Sequence, residues 1–250
     1  MIRRYFISLS YNGKNYCGWQ IQPNAISVQQ TLQEAMSTLM RQELTIVGAG
    51  RTDSGVHARE MIAHFDWDES DFDANELCMK LNRLLPKDIS IHSIKEVGTN
   101  AHARFSAISR TYSYCITPIK DPFLNELKYH ISFDPDITMM NHLCMILKET
   151  DDFTSFSKLH TNVKTNICNV KHAHWDRKGD DFIFTIQADR FLRNMVRSIV
   201  GTLLQAGRGR LNEVGFRQII DVKNRSAAGE SAPAHALFLE QVEYPQDIWI

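Results

Sequence analysis

The period of the apolar residues switches repeatedly along this chain, and that switching limits what it can fold into. Residues 3–11 alternate, with Tyr5, Ile7, Leu9 and Tyr11 on one face and Arg4, Phe6, Ser8 and Ser10 on the other. A period of two reads as a strand with one buried face. Residues 12–26 hold Asn-Gly and Pro-Asn and read as loop. From Ser27 the period is helical: Leu32, Ala35, Met36, Leu39 and Met40 form a stripe, and Ser27 with Gln30 makes a capping-box pattern. A short strand over 44–47 runs into the glycine-rich stretch 48–55, after which Met61, Ala63, Phe65 and Trp67 alternate again. Asp73 caps a second helix, with Leu77, Cys78, Leu81, Leu84 and Leu85 on one face, that stops before Pro86. Residues 89–97 form the next strand.

The second half echoes this order. Strands are expected over 104–117, 127–133, 167–175, 182–188 and 237–244, with Ile108, Arg110, Tyr112, Tyr114 and Ile116 sharing a face. Helices are expected after Asp136, over 192–206 and near 213–221; the middle one carries Met195, Val196, Ile199, Val200, Leu203 and Leu204. Such halves imply an α+β protein with helices packed on largely antiparallel sheets.

Composition removes several classes. No apolar run approaches the roughly 20 residues of a membrane span. The start, MIRRYFISLSYNG, has no apolar stretch of the kind a secretory signal carries. Five cysteines, an odd number without a CxxC pair, argue against a disulfide framework and a zinc ribbon and favour a reducing cytosol. His172 and His174 share a strand face and His57 and His64 are seven apart, but no further ligand has supporting spacing, which argues against a metal site. His130, His142 and His160 read as surface or packing residues.

The densest chemistry lies in Gly48–Ala58. It fails as a dinucleotide fingerprint, because the third glycine is misplaced and a strand follows, and it lacks the Gly-Lys-Ser/Thr of a P-loop. On its own it reads as a tight turn with Asp53 as an Asx cap. The deaminase pattern H-x-E with P-C-x-x-C and the G-x-S-x-G elbow are both missing.

GRTDSGVHA resembles, however, the GRTDAGVHA signature of the tRNA pseudouridine synthase A family. Five further blocks resemble that family in its own order: Tyr11-Asn12-Gly13 with Tyr16-Cys17-Gly18-Trp19-Gln20; Ala103-Arg104-Phe105-Ser106-Ala107 with Arg110 and Tyr112; Asp152-Phe153-Thr154-Ser155-Phe156; the stretch 191–201; and Ala232-Pro233 with Leu237. Asn12 stands where the family usually has Asp, and Ala236 where it usually has Gly. The resemblance implies two similar α/β halves, 1–104 with the catalytic loop and 105–250 with the substrate-binding Tyr and Arg. Their sheets would form one extended sheet with helices on one face and the active-site cleft between the halves.

It also implies an isomerase, an intramolecular transferase that converts uridine to pseudouridine at positions 38, 39 and 40 of the tRNA anticodon stem-loop. Asp53 would be nucleophile or base; sequence leaves open whether it attacks the base, attacks the sugar or takes a proton. A carboxylate beside a base needs a positive partner to stay ionised, and the resemblance gives that place to Arg197. Tyr112 would stack on the target uracil, and Arg51 would contact the RNA and fill the space a flipped nucleotide leaves. No metal or cofactor, no membrane, a homodimer and a cytoplasmic location are implied as well. Two other classes compete: a silent RNA-binding factor, against which the intact Asp53, Tyr112 and Arg197 speak, and a nucleoside hydrolase, which lacks a second carboxylate nearby in sequence.

The net charge of −1, from 28 basic and 29 acidic residues, argues against an RNA coat, but the distribution does not. Residues 66–76 hold six acids and no base. Residues 190–225 hold eight basic residues against two acids, and 153–178 five against one. Arg51 and the 190–225 arginines are expected to line one groove.

Overall fold

The computed structural model describes residues 2–68, 73–158 and 165–250. The chain divides into two compact units, one of Met1–Ile108 with Leu239–Ile250, the other of Ser109–Phe238. The last twelve residues therefore fold with the first unit rather than with the residues that precede them.

In the first unit β1 (Arg3–Tyr11) is flanked by two antiparallel partners, β3 (His57–Trp67) and β4 (Ile89–Val97). The short β2 (Val47–Gly48) pairs with β3 on the side away from β1, where β9 (Leu237–Glu243) also lies. Helices α1 (Val28–Met40) and α2 (Ala74–Leu84) pack side by side, α2 against β4. The alternation in β1 holds for Tyr5, Ile7 and Leu9, all buried. Phe6, on the opposite face, is buried too: it meets Tyr244 at 5.0 Å and Trp249 at 5.8 Å, both from the C-terminal return. In β3 the five residues from Met61 to Phe65 are all buried, so both faces of this central strand are covered.

Caps behave as their residue types require. Ser27 accepts from the Gln30 amide, and Asp73 accepts from the amides of Asn75 and Glu76. The capping box at Ser27 is only half made, because the Gln30 side chain donates to Glu34 instead. Leu84 is exposed, so the buried stripe of α2 narrows to Leu77 and Leu81, with Leu85 just beyond it.

The second unit centres on β8 (Asp181–Ala188), antiparallel to both β5 (Ser109–Thr117) and β7 (Val170–Lys178). Helix α3 (Ile137–Glu149), capped by Asp136, packs on β7; α4 (Met195–Gly207) packs on α3, and α5 (Glu213–Asp221) follows. Most pairings are antiparallel, giving the expected α+β architecture.

Several expected elements are shorter; of 44–47 only Val47 lies in a strand. Strand β5 begins at Ser109, not 104, because residues 102–106 close a turn: Ser106 N–H donates to the His102 carbonyl, and the amides of Arg104 and Phe105 donate to the His102 ring. Of 127–133 only β6 (Tyr129–His130) pairs, parallel to β5. Helix α4 starts at Met195, since Asn194 before it sits at φ 66°, outside helical geometry.

Candidate active site

Asp53 follows β2 on the loop that leads to β3, and it is half-buried. One segment, residues 11–19, grips both of its flanks. On the N-terminal side the Tyr11 hydroxyl is 2.9 Å from the Thr52 hydroxyl, and the Trp19 amide donates to the Thr52 carbonyl at 3.3 Å. Gly18, at φ +81°, lies so close that a Cβ there would collide with the same carbonyl. On the C-terminal side the Tyr16 carbonyl accepts from the Gly55 amide and the Ser54 hydroxyl, each at 3.3 Å. The Gly13 amide donates to His57 Nδ1 at 3.0 Å, and a Cβ on Gly13 would collide with the Val56 carbonyl. Gly13 and Gly18 of the N-terminal motif thus serve close backbone approach, while Gly55 after Asp53 supplies a positive φ of 78°. His57 belongs to this brace, and its sequence pairing with His64 has no counterpart: His64 Nδ1 accepts instead from the Ala103 amide at 3.2 Å.

Asn12 caps a short turn by accepting from the Lys14 amide, as the usual Asp would. Arg51, two residues before Asp53, is exposed.

In the second unit Tyr112 lies on β5 opposite Ile186 of β8, half-buried, with its ring edge-on to Phe191 at 5.1 Å. Its strand neighbour Tyr114 is buried and donates to the Pro233 carbonyl at 2.9 Å; burial pushes its hydroxyl pKa up. Arg197 sits in the first turn of α4. Its Nε donates to the Ala232 carbonyl at 2.7 Å while the Ala232 amide donates back to the Arg197 carbonyl at 2.9 Å. The first bond orients the guanidinium, and the second ties the start of α4 to residue 232.

The Asp152 block is scaffold. Asp152 accepts from the Thr154 amide and hydroxyl and pairs with Lys223 at 2.8 Å, while the Ser155 hydroxyl donates to the Ile219 carbonyl beyond it on α5. Ala236 is buried in a short turn and is not among the positive-φ residues, so the loop needs no glycine there.

The basic stretch is not one cluster. Arg217 pairs with Glu213, Lys223 with Asp152, and Arg225 donates to the carbonyl of Gly229 and the hydroxyl of Ser231. Exposed arginines stand at both ends of α4, Arg193 before it and Arg208 and Arg210 after it, and Arg217 is exposed on α5. Thirteen residues separate those ends by about 20 Å. Within this unit the exposed arginines flanking α4 thus form two patches, one at each end, rather than one compact cluster. The acidic run dissolves in the same way: Asp66 pairs with Arg4, Asp73 caps α2 and Glu76 pairs with Lys80, while Glu69 and Asp71, like His160 and Lys164, lie outside the described residues.

Among the described residues no three His, Cys, Asp or Glu side chains gather as a metal-binding group, and no helix is long and apolar enough to cross a membrane.

A carboxylate on a loop braced by the N-terminal motif, within an α+β chain of mostly antiparallel sheets, is the arrangement of a known class. The family model described as tRNA pseudouridine synthase matches residues 7–106 and 147–245, and the chain belongs to that family. It is 59% identical over 248 residues to tRNA pseudouridine synthase A of Parabacteroides distasonis, covering 99% of this chain and 98% of that protein. It is 54% identical over 249 residues to tRNA pseudouridine synthase A of Bacteroides fragilis, covering 99% of each. Against the protein of that name from Colwellia psychrerythraea identity is 36% over 246 residues, 98% of this chain and 95% of that one.

Asp88 is the residue at this site that sequence reasoning missed. It contacts the 12–16 segment from the turn before β4, and no local pattern marks it, since its partners lie more than seventy positions away.

Proposed function

We propose that this chain isomerises uridine to pseudouridine at positions 38, 39 and 40 in the anticodon stem-loop of tRNA. The observation that carries the reading is the Asp53 loop, held on both flanks by the family's own N-terminal motif. The reaction breaks the bond between uracil N1 and ribose C1′ and forms one between C5 and C1′. The C5 proton leaves and N1 is protonated, so electrons balance without an oxidant. Asp53 is the nucleophile or base in this scheme. Arg197 is the positive partner of Asp53 in this scheme, and Tyr112 stacks on the uracil. Arg51 contacts the RNA and fills the gap of the flipped nucleotide. The working form is a homodimer in the cytoplasm, with the tRNA lying across both subunits.

The test is to incubate purified protein with tRNA transcripts and map pseudouridine, comparing wild type with Asp53→Ala. Wild type forms pseudouridine at 38–40 and the variant forms none. Product from the variant at the wild-type rate removes Asp53 from the chemistry, binding without product supports a silent factor, and released uracil indicates a hydrolase.

A further inference from the structure

We propose that Asp88 is a positioning residue for the Asp53 loop, acting through Tyr16; this rests on the role of Asp53 given under Proposed function. Asp88 lies in the turn between α2 and β4, outside every block that resembles the family. It holds the 12–16 segment at three points. Its carboxylate accepts from the Tyr16 hydroxyl at 2.7 Å and from the Asn15 amide group at 3.0 Å, and its backbone carbonyl accepts from the Asn12 amide at 2.8 Å. A hydroxyl bonded to an ionised acceptor is among the stronger hydrogen bonds.

The far side of the same segment holds the loop. The carbonyl of Tyr16 takes the Gly55 amide and the Ser54 hydroxyl, and the amide of Gly13 meets His57. Asp88 thus fixes one side of Tyr16 while the other side fixes the two residues directly after Asp53. Nothing in α2 or β4 needs this carboxylate: the turn itself is closed by the Ile89 amide donating to the Pro86 carbonyl at 3.0 Å. The carboxylate serves the 12–16 segment, and that segment serves the loop. Burial and Asp88 together raise the pKa of the Tyr16 hydroxyl, so it stays a donor across the working pH range.

Loss of this anchor leaves the exposed arginines at the ends of α4 in place and lets Asp53 wander. A displacement near 1 Å at a reacting group costs on the order of a hundredfold in rate. The expected result for Asp88→Ala and for Tyr16→Phe is a fall of roughly 10- to 100-fold in single-turnover pseudouridine formation, with tRNA affinity within about threefold of wild type. The double variant falls no further than the worse single one, because both remove the same link. Asp88→Asn recovers part of the rate: its amide oxygen can still accept from Tyr16, and the Asn15 amide can turn to face its NH2 group.

Amide hydrogen exchange supplies a readout that does not depend on activity. Asp88→Ala raises exchange at residues 52–56 while β1 and β3 stay protected. Tyr16→Phe, which removes one oxygen, covers the case in which the alanine variant does not fold. Variant rates within twofold of wild type, a rate loss matched by an equal loss of affinity, or unchanged exchange at 52–56 each overturn the proposal. A wild-type protein that modifies no tRNA defeats the functional reading instead, and the exchange experiment still decides whether Asp88 orders the loop.

Discussion

His64 shows how one buried side chain ties stability to pH. It lies on β3, packed edge-on to His102 at 4.6 Å, and its Nδ1 accepts from the Ala103 amide. Burial first, then the charge of Arg4 and the neighbouring His102, push its pKa down to about 4. Between that value and the ordinary 6.5 the unfolded chain binds the extra proton, so stability rises with pH across this window and is lost as pH falls through it. At about 1.4 kcal/mol per unit, the full effect is on the order of 3 kcal/mol. Asp66, held below its usual range by the two-pronged contact with Arg4, adds a loss of the same sign at lower pH. His64→Asn keeps an acceptor for the Ala103 amide and removes the titration. Urea unfolding between pH 6.5 and 4 is therefore expected to show a flatter pH dependence in the variant; an equal slope would mean His64 titrates normally. None of this was visible in the sequence, where His64 is one of ten histidines, because its environment comes from the 101–106 turn nearly forty residues away.

Elements with a local cause were legible, and those with a distant cause were not. The caps at Ser27, Asp73 and Asp136 follow from short-range hydrogen bonds that the sequence spells out directly. The sequence pattern runs five residues past the start of β5 because the turn at 102–106 is closed by the His102 ring, a partner that periodicity does not see. The helical pattern starts three residues before α4 for a similar reason: Asn194, out of helical geometry, bonds through its side chain to Ser198 and to Ser231 far along the chain. The same helix meets the 229–233 segment so closely at Gly201 that a Cβ there would collide with the Glu230 carbonyl. That segment supplies the carbonyls that hold Arg197 and Tyr114. Gly201→Ala must push it away, and overpacking of this kind costs about 1–3 kcal/mol. Thermal melting is expected to drop by several degrees, with pseudouridine formation falling alongside; an unchanged melting temperature would show that the segment yields freely.

At the scale of the molecule, the charge arithmetic needs the structure to be read at all. The net −1 concealed a basic stretch, and the stretch in turn concealed that Arg217 and Lys223 are neutralised by acids and that Arg225 serves a loop. What remains exposed at the ends of α4 is Arg193, next to Lys158, whose amide donates to the Arg193 carbonyl, and the pair Arg208 and Arg210. Arg208 is further held over the Phe133 ring at 4.3 Å. Two basic patches about 20 Å apart suit an RNA stem, whose phosphates repeat along its length, better than a compact anion. Each phosphate contact releases counterions, so removing one lowers the salt dependence of binding without choosing between tRNA sequences. Arg193→Gln and Arg210→Gln are each expected to reduce the slope of log affinity against log salt by roughly 0.7 to 0.9. The two losses should add, since sites this far apart share no partner. Filter binding of several tRNAs between low and physiological salt measures the slopes. If neither substitution changes them, the ends of α4 do not touch the RNA, and the charge asymmetry of this chain serves its own folding instead.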